Sequence, residues 1–82
     1  MATVTLYGKP GCCLCDEARA EIEALRARIA FELEEVDVSL DAGLAREYGE
    51  RIPVVDVDGR EAFELGVEVA ELERLLGRVA GK

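Results

Sequence analysis

The chain has 82 residues, half of them hydrophobic, which is enough to form one small domain over residues 1–82 with a core of its own. Its net charge of −8 and its lack of a basic patch disfavour sustained binding to nucleic acid or to an anionic membrane surface, and leave basic proteins as candidate partners. Because it contains no histidine, Cys–His and Ser–His–Asp catalysis are excluded, and the commonest metal ligand is missing.

The first part of the chain predicts a strand, a turn and a long helix. Residues Thr3–Tyr7 are rich in strand formers, and Gly8–Gly11 contains two glycines and a proline, which indicates a turn. A helical pattern then runs from Cys13 to about Ile29. Apolar residues recur in it at steps of three and four, which predicts one inward face made of Leu14, Ala18, Ile22, Leu25 and Ile29.

A second strand and a short helix follow. Phe31–Val38 is the strand, and its acidic pair, Glu34-Glu35, indicates either a bulge or an exposed edge. The short helix is predicted over Leu40–Tyr48, with Ser39 or Asp41 as its N-cap.

The next segment predicts a hairpin. A strand over Arg51–Val57 contains a proline near its start, where no ladder donor is needed. Asp58-Gly59 is a strong signal for a tight turn into a second strand, Arg60–Phe63. A two-residue loop would place Asp56 opposite Glu61, an unfavourable pair of like charges, so a longer loop or solvated strand ends are the alternatives.

The last predicted element is a helix over Val67–Val79. Its expected inward residues are Val69, Leu72, Leu75, Leu76 and Val79. The full order is therefore β-α-β-α-β-β-α, and the first two strands must be parallel because a helix connects them. The pattern predicts a small mixed sheet with helices packed on it.

The cysteines carry the chemistry. Cys12 and Cys15 form a Cys-x-x-Cys pair at the start of the long helix, a spacing that can close a small disulfide ring and is typical of thioredoxin-like redox motifs. The first sulfur lies where unpaired backbone N–H groups, the helix dipole and nearby Lys9 favour a thiolate. The alternative is a pair of small buried hydrophobes. Cys13 is either a plain helix residue or an auxiliary thiol that competes with the pair.

Two separated motifs carry a resemblance to a known family. Residues 10–16 read Pro-Gly-Cys-Cys-Leu-Cys-Asp after the first strand, and Ile52-Pro53 opens the third. The chain resembles the thioredoxin superfamily, and within it the small bacterial glutaredoxin-like proteins with a Pro-Gly-Cys-x-Leu-Cys-Asp signature. This resemblance covers essentially the whole chain. It implies an α/β, thioredoxin-like (glutaredoxin-like) fold with a four-stranded mixed sheet in order 2-1-3-4, and strand three antiparallel to strand one.

The same resemblance implies roles for individual residues. Cys12 would be the exposed nucleophile and Cys15 the sheltered resolving thiol. Pro53 would follow a cis peptide bond beside Cys12, which leaves the backbone of Ile52 free to pair with a substrate strand. Lys9 matches a lysine that helps to hold glutathione in many glutaredoxins. Lys9, Ile52 and Pro53 are therefore the expected substrate-binding residues.

One part of the glutaredoxin pattern is missing. Glutaredoxins complete their glutathione pocket with paired glycines followed by an acidic residue, whereas this chain has only Leu65-Gly66-Val67-Glu68 before the last helix. Glutathione is therefore a doubtful reductant, although it stays a candidate. Neither a metal nor an organic cofactor is required by dithiol chemistry.

These features predict a thiol–disulfide oxidoreductase that reduces disulfides of proteins or small molecules and is itself reduced again by a thiol reductant system. One alternative is a zinc or iron–sulfur module that uses the same cysteines. Three closely packed sulfurs are too few for a cluster, so this alternative needs a dimer or added thiols. The other alternative is a redox-inactive interaction domain.

The expected location is the cytoplasm. Met1–Tyr7 is too short an apolar run for a signal peptide, and no stretch has transmembrane length. The clustered cysteines also differ from a secreted disulfide framework, which distributes an even number along the chain. We expect a monomer with no membrane partner.

Overall fold

The elements follow each other along the chain in the predicted order. The computed structural model describes residues 2–80, with side chains up to residue 77. The strands are β1 (Thr3–Gly8), β2 (Glu32–Asp37), β3 (Val54–Val57) and β4 (Arg60–Glu64), and the helices are α1 (Cys13–Arg26), α2 (Ala42–Tyr48) and α3 (Val69–Ala80). A 3₁₀ turn, Val38–Leu40, joins β2 to α2. None of these helices is long and apolar enough to cross a membrane.

The four strands form one mixed sheet in the order β2-β1-β3-β4, which confirms the predicted fold. β1 runs parallel to β2 and antiparallel to β3. β2 lies at the edge of the sheet, and its register with β1 is regular from Thr3↔Glu32 to Gly8↔Asp37. The exposed pair Glu34-Glu35 therefore marks an edge and not a bulge.

The β3–β4 hairpin has the predicted tight turn, and its loop is two residues long. Asp58 and Gly59 both have positive φ, 53° and 86°, as a tight hairpin turn requires. The register pairs Val57 with Arg60 and Asp56 with Glu61, and an irregularity lies between Val55 and Asp56.

The main core lies between one face of the sheet and the helices α1 and α3. Its buried side chains include Val4, Leu6, Ala18, Ile22, Leu25, Val55, Leu72 and Leu76. The predicted face of α1 is right from Ala18 to Leu25 but wrong at Leu14, which is half exposed. Cys15 and Leu14 lie three and four residues before Ala18, so helical spacing allows either to face inward. Packing against Val38 and Ile52 buries Cys15.

Three helix boundaries differ from the prediction. α1 ends at Arg26, three residues early, although Ile29 still packs against the core. α2 begins at Ala42 because the preceding residues form the 3₁₀ turn, and Asp41 is its N-cap, accepting from the amides of Gly43 (2.8 Å) and Leu44 (3.0 Å). Ser39 is not the cap, since its hydroxyl donates to Asp37.

α3 begins at Val69, two residues later than predicted. Leu72 and Leu76 are buried, and Val69 and Leu75 are half-buried. The side chain of Val79, also predicted to point inward, lies outside the described residues.

Asp56 is a buried carboxylate on the opposite face of β3. It is only 7% exposed, and among the described residues nothing hydrogen-bonds its Oδ1 atom. Burial, followed by repulsion from Glu61, raises the pKa of Asp56 above its usual value. The ionised carboxylate is therefore unfavourable in the folded state at neutral pH.

We expect Asp56→Asn to raise the free energy of unfolding at pH 7 by about 1 kcal/mol or more, because the variant buries no charge. With a raised folded pKa, the wild type is most stable below the unfolded pKa of about 4 and loses that stability as pH rises through the folded pKa. The advantage of the variant should therefore shrink at pH 4. Urea denaturation at both pH values measures this, with exposed Glu32→Gln as the control. An Asp56→Asn variant that is less stable at pH 7 would contradict it.

Candidate active site

Cys12 is the N-cap residue of α1. Gly11, immediately before it, has φ +82°, a conformation that favours glycine and turns the chain into the helix. The backbone of Cys12 is extended, and its Sγ accepts a hydrogen bond from the Cys15 amide at 3.3 Å. A sulfur thus occupies the place of the oxygen that usually caps a helix. The free N–H groups and the dipole at a helix N-terminus favour a negatively charged acceptor, so this position stabilises a thiolate.

The electrostatics of Cys12 agree with this position. The pKa of Cys12 lies below the ordinary 9.0, chiefly because the Cys15 thiol hydrogen-bonds to it. The backbone amides of Cys15 and Leu14 and the charge of Lys9 lower it further, and partial burial opposes them. Cys12 is half-buried, so its sulfur can still be reached by a substrate.

Cys15 has the opposite character. It is 1% exposed, and burial, followed by the hydrogen bond to Cys12, raises the pKa of its thiol to about 11. It packs with Val38 and Ile52 in a small second cluster, which Cys12 also contacts. The pair therefore combines a thiol that ionises readily with a sheltered thiol that keeps its proton.

Gly8 makes room for Cys15. It is the last residue of β1, and a Cβ atom placed there would lie 2.8 Å from the Cys15 Sγ. No side chain fits at that distance without displacing the sulfur. In the sequence Gly8 resembles an ordinary turn glycine, so nothing distinguishes its role before the helix is folded against the strand.

The Ile52–Pro53 peptide bond is cis, as the resemblance implied. Both residues are buried, and Ile52 packs in the cluster of Cys15 and Val38. Lys9 lies exposed on the turn before Cys12. The fold thus brings Lys9 and Ile52 to the cysteine pair, with Pro53 next in the chain, while their binding of substrate stays a prediction.

An aromatic stack supports the Ile52–Pro53 loop. The rings of Tyr7 and Tyr48 are 4.4 Å apart, and the Arg51 guanidinium lies 5.4 Å from the Tyr48 centroid. Arg51 also donates to Glu61 (2.5 Å) and Glu64 (3.0 Å). These contacts tie the residue before Ile52 to α2 and to β4. No sequence signal links these distant residues to the site.

Cys13 lies on the outside of the first turn. It is exposed, whereas Cys15, two residues later, points into the protein. Residues two apart on a helix point about 200° apart, so these two sulfurs do not converge. Within residues 2–80, no three acidic or cysteine side chains are grouped so as to hold a metal ion. The role of Cys13 as an auxiliary thiol stays a prediction.

The difference between the pKa values of Cys12 and Cys15 can be measured by titration. In a Cys13→Ser background, thiolate absorbance against pH should show a first step below pH 9.0 from Cys12 and a second near 11 from Cys15. The Cys12→Ser/Cys13→Ser double variant should lose the first step and move the second to lower pH, because the hydrogen bond to Cys12 and the charge of Cys12 both raise the pKa of Cys15. A first step at or above 9.0 would show that neither the Cys15 thiol nor the helix terminus activates Cys12.

A cavity of about 380 Å³ opens beside Cys15, between β1, α1 and β2. Gly8 and Cys15 form part of its wall, together with the acidic residues Glu35 and Asp37. The buried thiol is thus next to a space that solvent can enter.

Comparison with known proteins identifies relatives of uncharacterized function. The chain is 35% identical over 63 residues to uncharacterized proteins of Mycobacterium tuberculosis and Mycobacterium bovis, a match that covers 71% of this chain and 65% of theirs. The chain thus spans less than two thirds of the length of these relatives.

Solved structures share the fold. A Nitrosomonas europaea protein matches with a TM-score of 0.78 and 26% identity, over 90% of this chain and 89% of its own. A protein from X. campestris matches with a TM-score of 0.74 and 33% identity, over 92% of this chain and 96% of its own. A mutant thioredoxin from Halobacterium salinarum, at 21% identity and a TM-score of 0.69 over 94% and 73%, shows likeness of fold alone.

A family model decides the classification. The model described as "Glutaredoxin-like domain (DUF836)" matches residues 3–77, which include both cysteines of the pair and the Ile52–Pro53 loop. The chain therefore belongs to the glutaredoxin-like (DUF836) family of small proteins with the thioredoxin-like fold.

Proposed function

We propose that the protein is a dithiol–disulfide oxidoreductase in which Cys12 attacks substrate disulfides and Cys15 resolves the product. The observation that carries this proposal is the contrast between the two thiols. A half-buried helix-cap sulfur with a lowered pKa lies beside a buried thiol whose pKa is raised to about 11. Such a difference suits sequential roles, because only one of the two thiols is ready to attack first.

In the first step, the Cys12 thiolate attacks one sulfur of a substrate disulfide. A bond forms between Cys12 and that sulfur, the substrate S–S bond breaks, and the other substrate sulfur leaves as a thiolate that takes a proton from solvent. The substrate is now held to the protein as a mixed disulfide. Cys12 is now uncharged, so the hydrogen bond that the Cys15 thiol donated to it is weakened. The pKa of Cys15 is therefore lower than in the reduced protein.

In the second step, Cys15 loses its proton and attacks the Cys12 sulfur. The mixed disulfide breaks, the second substrate thiolate leaves, and Cys12 and Cys15 are joined by a disulfide. The proton of Cys15 passes to solvent, for which the cavity beside Gly8 offers a route. Two electrons have moved from the protein to the substrate, which leaves as two thiols.

The substrate is held by the residues next to the pair. Among the described residues, none of the backbone hydrogen bonds around this loop uses Ile52, so its N–H and C=O are left for an extended substrate segment. Pro53 has no N–H to donate to the same segment. Lys9 contributes positive charge beside the Cys12 sulfur.

An external thiol returns the protein to its reduced form by the reverse exchange. Neither a metal nor an organic cofactor enters this cycle. Glutathione is a weak candidate for the reductant, because the chain lacks the paired glycines and has a net charge of −8, which repels an anionic tripeptide.

The order of the two attacks is tested by removing the resolving thiol. Cys15→Ser should stop the cycle after the first step, so incubation with a disulfide peptide should leave one peptide attached to Cys12. Mass spectrometry of the intact protein and of its fragments measures this. The matched control, Cys13→Ser, should release the peptide as the wild type does. Attachment to Cys13, or release of the product by Cys15→Ser at the wild-type rate, would contradict the proposal.

A further inference from the structure

Three large apolar side chains are strongly exposed in the described part of the chain, and all three lie at the end of the sheet that carries the cysteine pair. They are Leu14 (49% exposed), Leu40 (82%) and Leu65 (57%). Leu14 lies in the first turn of α1, between Cys13 and Cys15. Single exposed leucines are ordinary on protein surfaces, but their confinement to one end of the sheet is not.

Leu40 reaches the site through the 3₁₀ turn. This turn begins at Val38, which is buried against Cys15, and ends at Leu40. β2 and β1 are parallel and Gly8 pairs with Asp37, so the turn leaves the sheet at the same end as the Cys12 turn. Leu40 therefore lies at the same end of the sheet as the cysteine pair, on the β2 side.

Leu65 directly follows β4. Its amide donates to the carbonyl of Arg51 at 2.9 Å, and the amide of Gly66 donates to the carbonyl of Pro53 at 3.3 Å. These bonds hold the segment against both ends of the Ile52–Pro53 loop. Leu65 has φ +61°, which is uncommon for a branched residue. The backbone thus holds a leucine in a conformation suited to glycine, with its side chain in solvent.

Acidic residues accompany each leucine. Glu17 follows Leu14 by three positions on α1, Asp41 follows Leu40 directly, and Glu68 follows Leu65 by three. All three carboxylates are exposed, and none of them forms an ion pair with another described residue. The surface around the leucines is therefore apolar and negative, with Lys9 as a cation close to the sulfur.

We propose that Leu14, Leu40 and Leu65 form an apolar rim around Cys12 that docks an extended, basic polypeptide, with apolar side chains on either side of the cysteine whose disulfide is reduced. This inference rests on the proposed function and names its substrate class. The occupant is cationic because the acidic residues around the rim complement positive charge and repel an anionic small disulfide. A second copy of the chain is disfavoured, since each copy carries a charge of −8.

The bond changes at the cysteines are those already described. The rim adds binding energy from apolar burial and from charge attraction, which raises kcat/KM for a matching peptide. The peptide disulfide accepts the two electrons and leaves as a thiol.

The experiment compares three synthetic peptides, each joined through its cysteine to 2-mercaptoethanol. The first has leucine and lysine around the cysteine, the second has glutamate for lysine, and the third has serine for leucine. With the wild type we expect kcat/KM for the first peptide to exceed that for each of the others by about tenfold. Equal values within about twofold would overturn the rim.

Two triple variants assign the preference to the rim. Leu14→Ser/Leu40→Ser/Leu65→Ser should remove most of the preference for leucine, and Glu17→Gln/Asp41→Asn/Glu68→Gln most of the preference for lysine. The control replaces exposed alanines of α1 and the following loop, Ala20→Ser/Ala24→Ser/Ala30→Ser, and should keep both preferences. Thermal unfolding by circular dichroism verifies that each variant is folded. Unchanged preferences in the folded leucine variant would overturn the proposal.

A binding measurement separates the rim from the chemistry. The first peptide with alanine for cysteine should shift the NMR signals of residues around the three leucines, and the glutamate peptide should not. If this binding is seen but no disulfide is reduced, the proposed function fails and the rim stands. If disulfides are reduced but the peptide does not bind there, the rim fails. Shifts at the leucines that depend on protein concentration without peptide would assign the surface to a second copy and overturn the proposal.

Discussion

Cys12→Ser is expected to slow disulfide reduction by about a thousandfold or more, because a serine hydroxyl is not ionised at neutral pH and does not attack a disulfide. The loss should not come from unfolding. Serine is a preferred N-cap residue, so its hydroxyl can accept from the Cys15 amide in place of the sulfur. The measurement is the initial rate with a chromogenic disulfide, together with the urea midpoint of the variant.

The neighbouring cysteine provides the matched control for this prediction. Cys13→Ser makes the same chemical change one residue away, at an exposed position outside the cap. Its rate should stay within about threefold of the wild type, because the resolving thiol remains in place. A large loss of activity in Cys13→Ser, or substantial activity in Cys12→Ser, would show that Cys12 is not the nucleophile.

Gly8→Ala is expected to lower the free energy of unfolding by about 1–3 kcal/mol, the usual effect of forcing an extra carbon into a packed site. The new Cβ would lie 2.8 Å from the Cys15 Sγ and 3.1 Å from the Cys15 Cβ. The sulfur or the strand must therefore shift, and the resolving step should slow as well. Urea denaturation measures the stability, and decay of the mixed disulfide in a single turnover measures the resolving rate.

Two further variants show whether the sulfur is the cause. Gly77→Ala in α3 places a methyl group where nothing lies within 4 Å and should stabilise the protein by about 0.5–1 kcal/mol. In Gly8→Ala/Cys15→Ala the Sγ is gone, so Gly8→Ala should cost at least about 1 kcal/mol less there than in the wild type. Strictly additive effects of the two substitutions would rule out a clash with the sulfur.

Local signals account for the parts of the fold that were predicted correctly. The Asp58-Gly59 turn, the apolar spacing of α1 and the alternation of the strands depend on residues close in sequence, so element order and type follow from them. The error at Leu14 has a physical origin. Leu14 and Cys15 both lie about one turn before Ala18, so the apolar spacing does not choose between them. The choice is made by the packing of Cys15 against Val38 and Ile52, which are distant in sequence.

The site, too, has a part that the sequence predicted and a part that it did not. The Cys-x-x-Cys spacing and the Ile52-Pro53 pair are visible in the sequence, and the fold brings them together. The contact of Gly8 with Cys15 and the stack of Tyr7 on Tyr48 depend on how α1 and α2 pack on the sheet. Contacts between residues far apart in sequence leave no local pattern, so they could be found only in the folded structure.

The most direct test of the Cys12–Cys15 pair is to map the disulfide in the oxidised protein. The reduced protein is treated with one equivalent of diamide, the remaining thiols are alkylated, and the peptides are identified by mass spectrometry. The expected product has lost two hydrogens, contains a Cys12–Cys15 disulfide and carries the alkyl group on Cys13. A disulfide that includes Cys13, or a protein that forms no internal disulfide, would contradict the proposed division between nucleophile and resolving thiol.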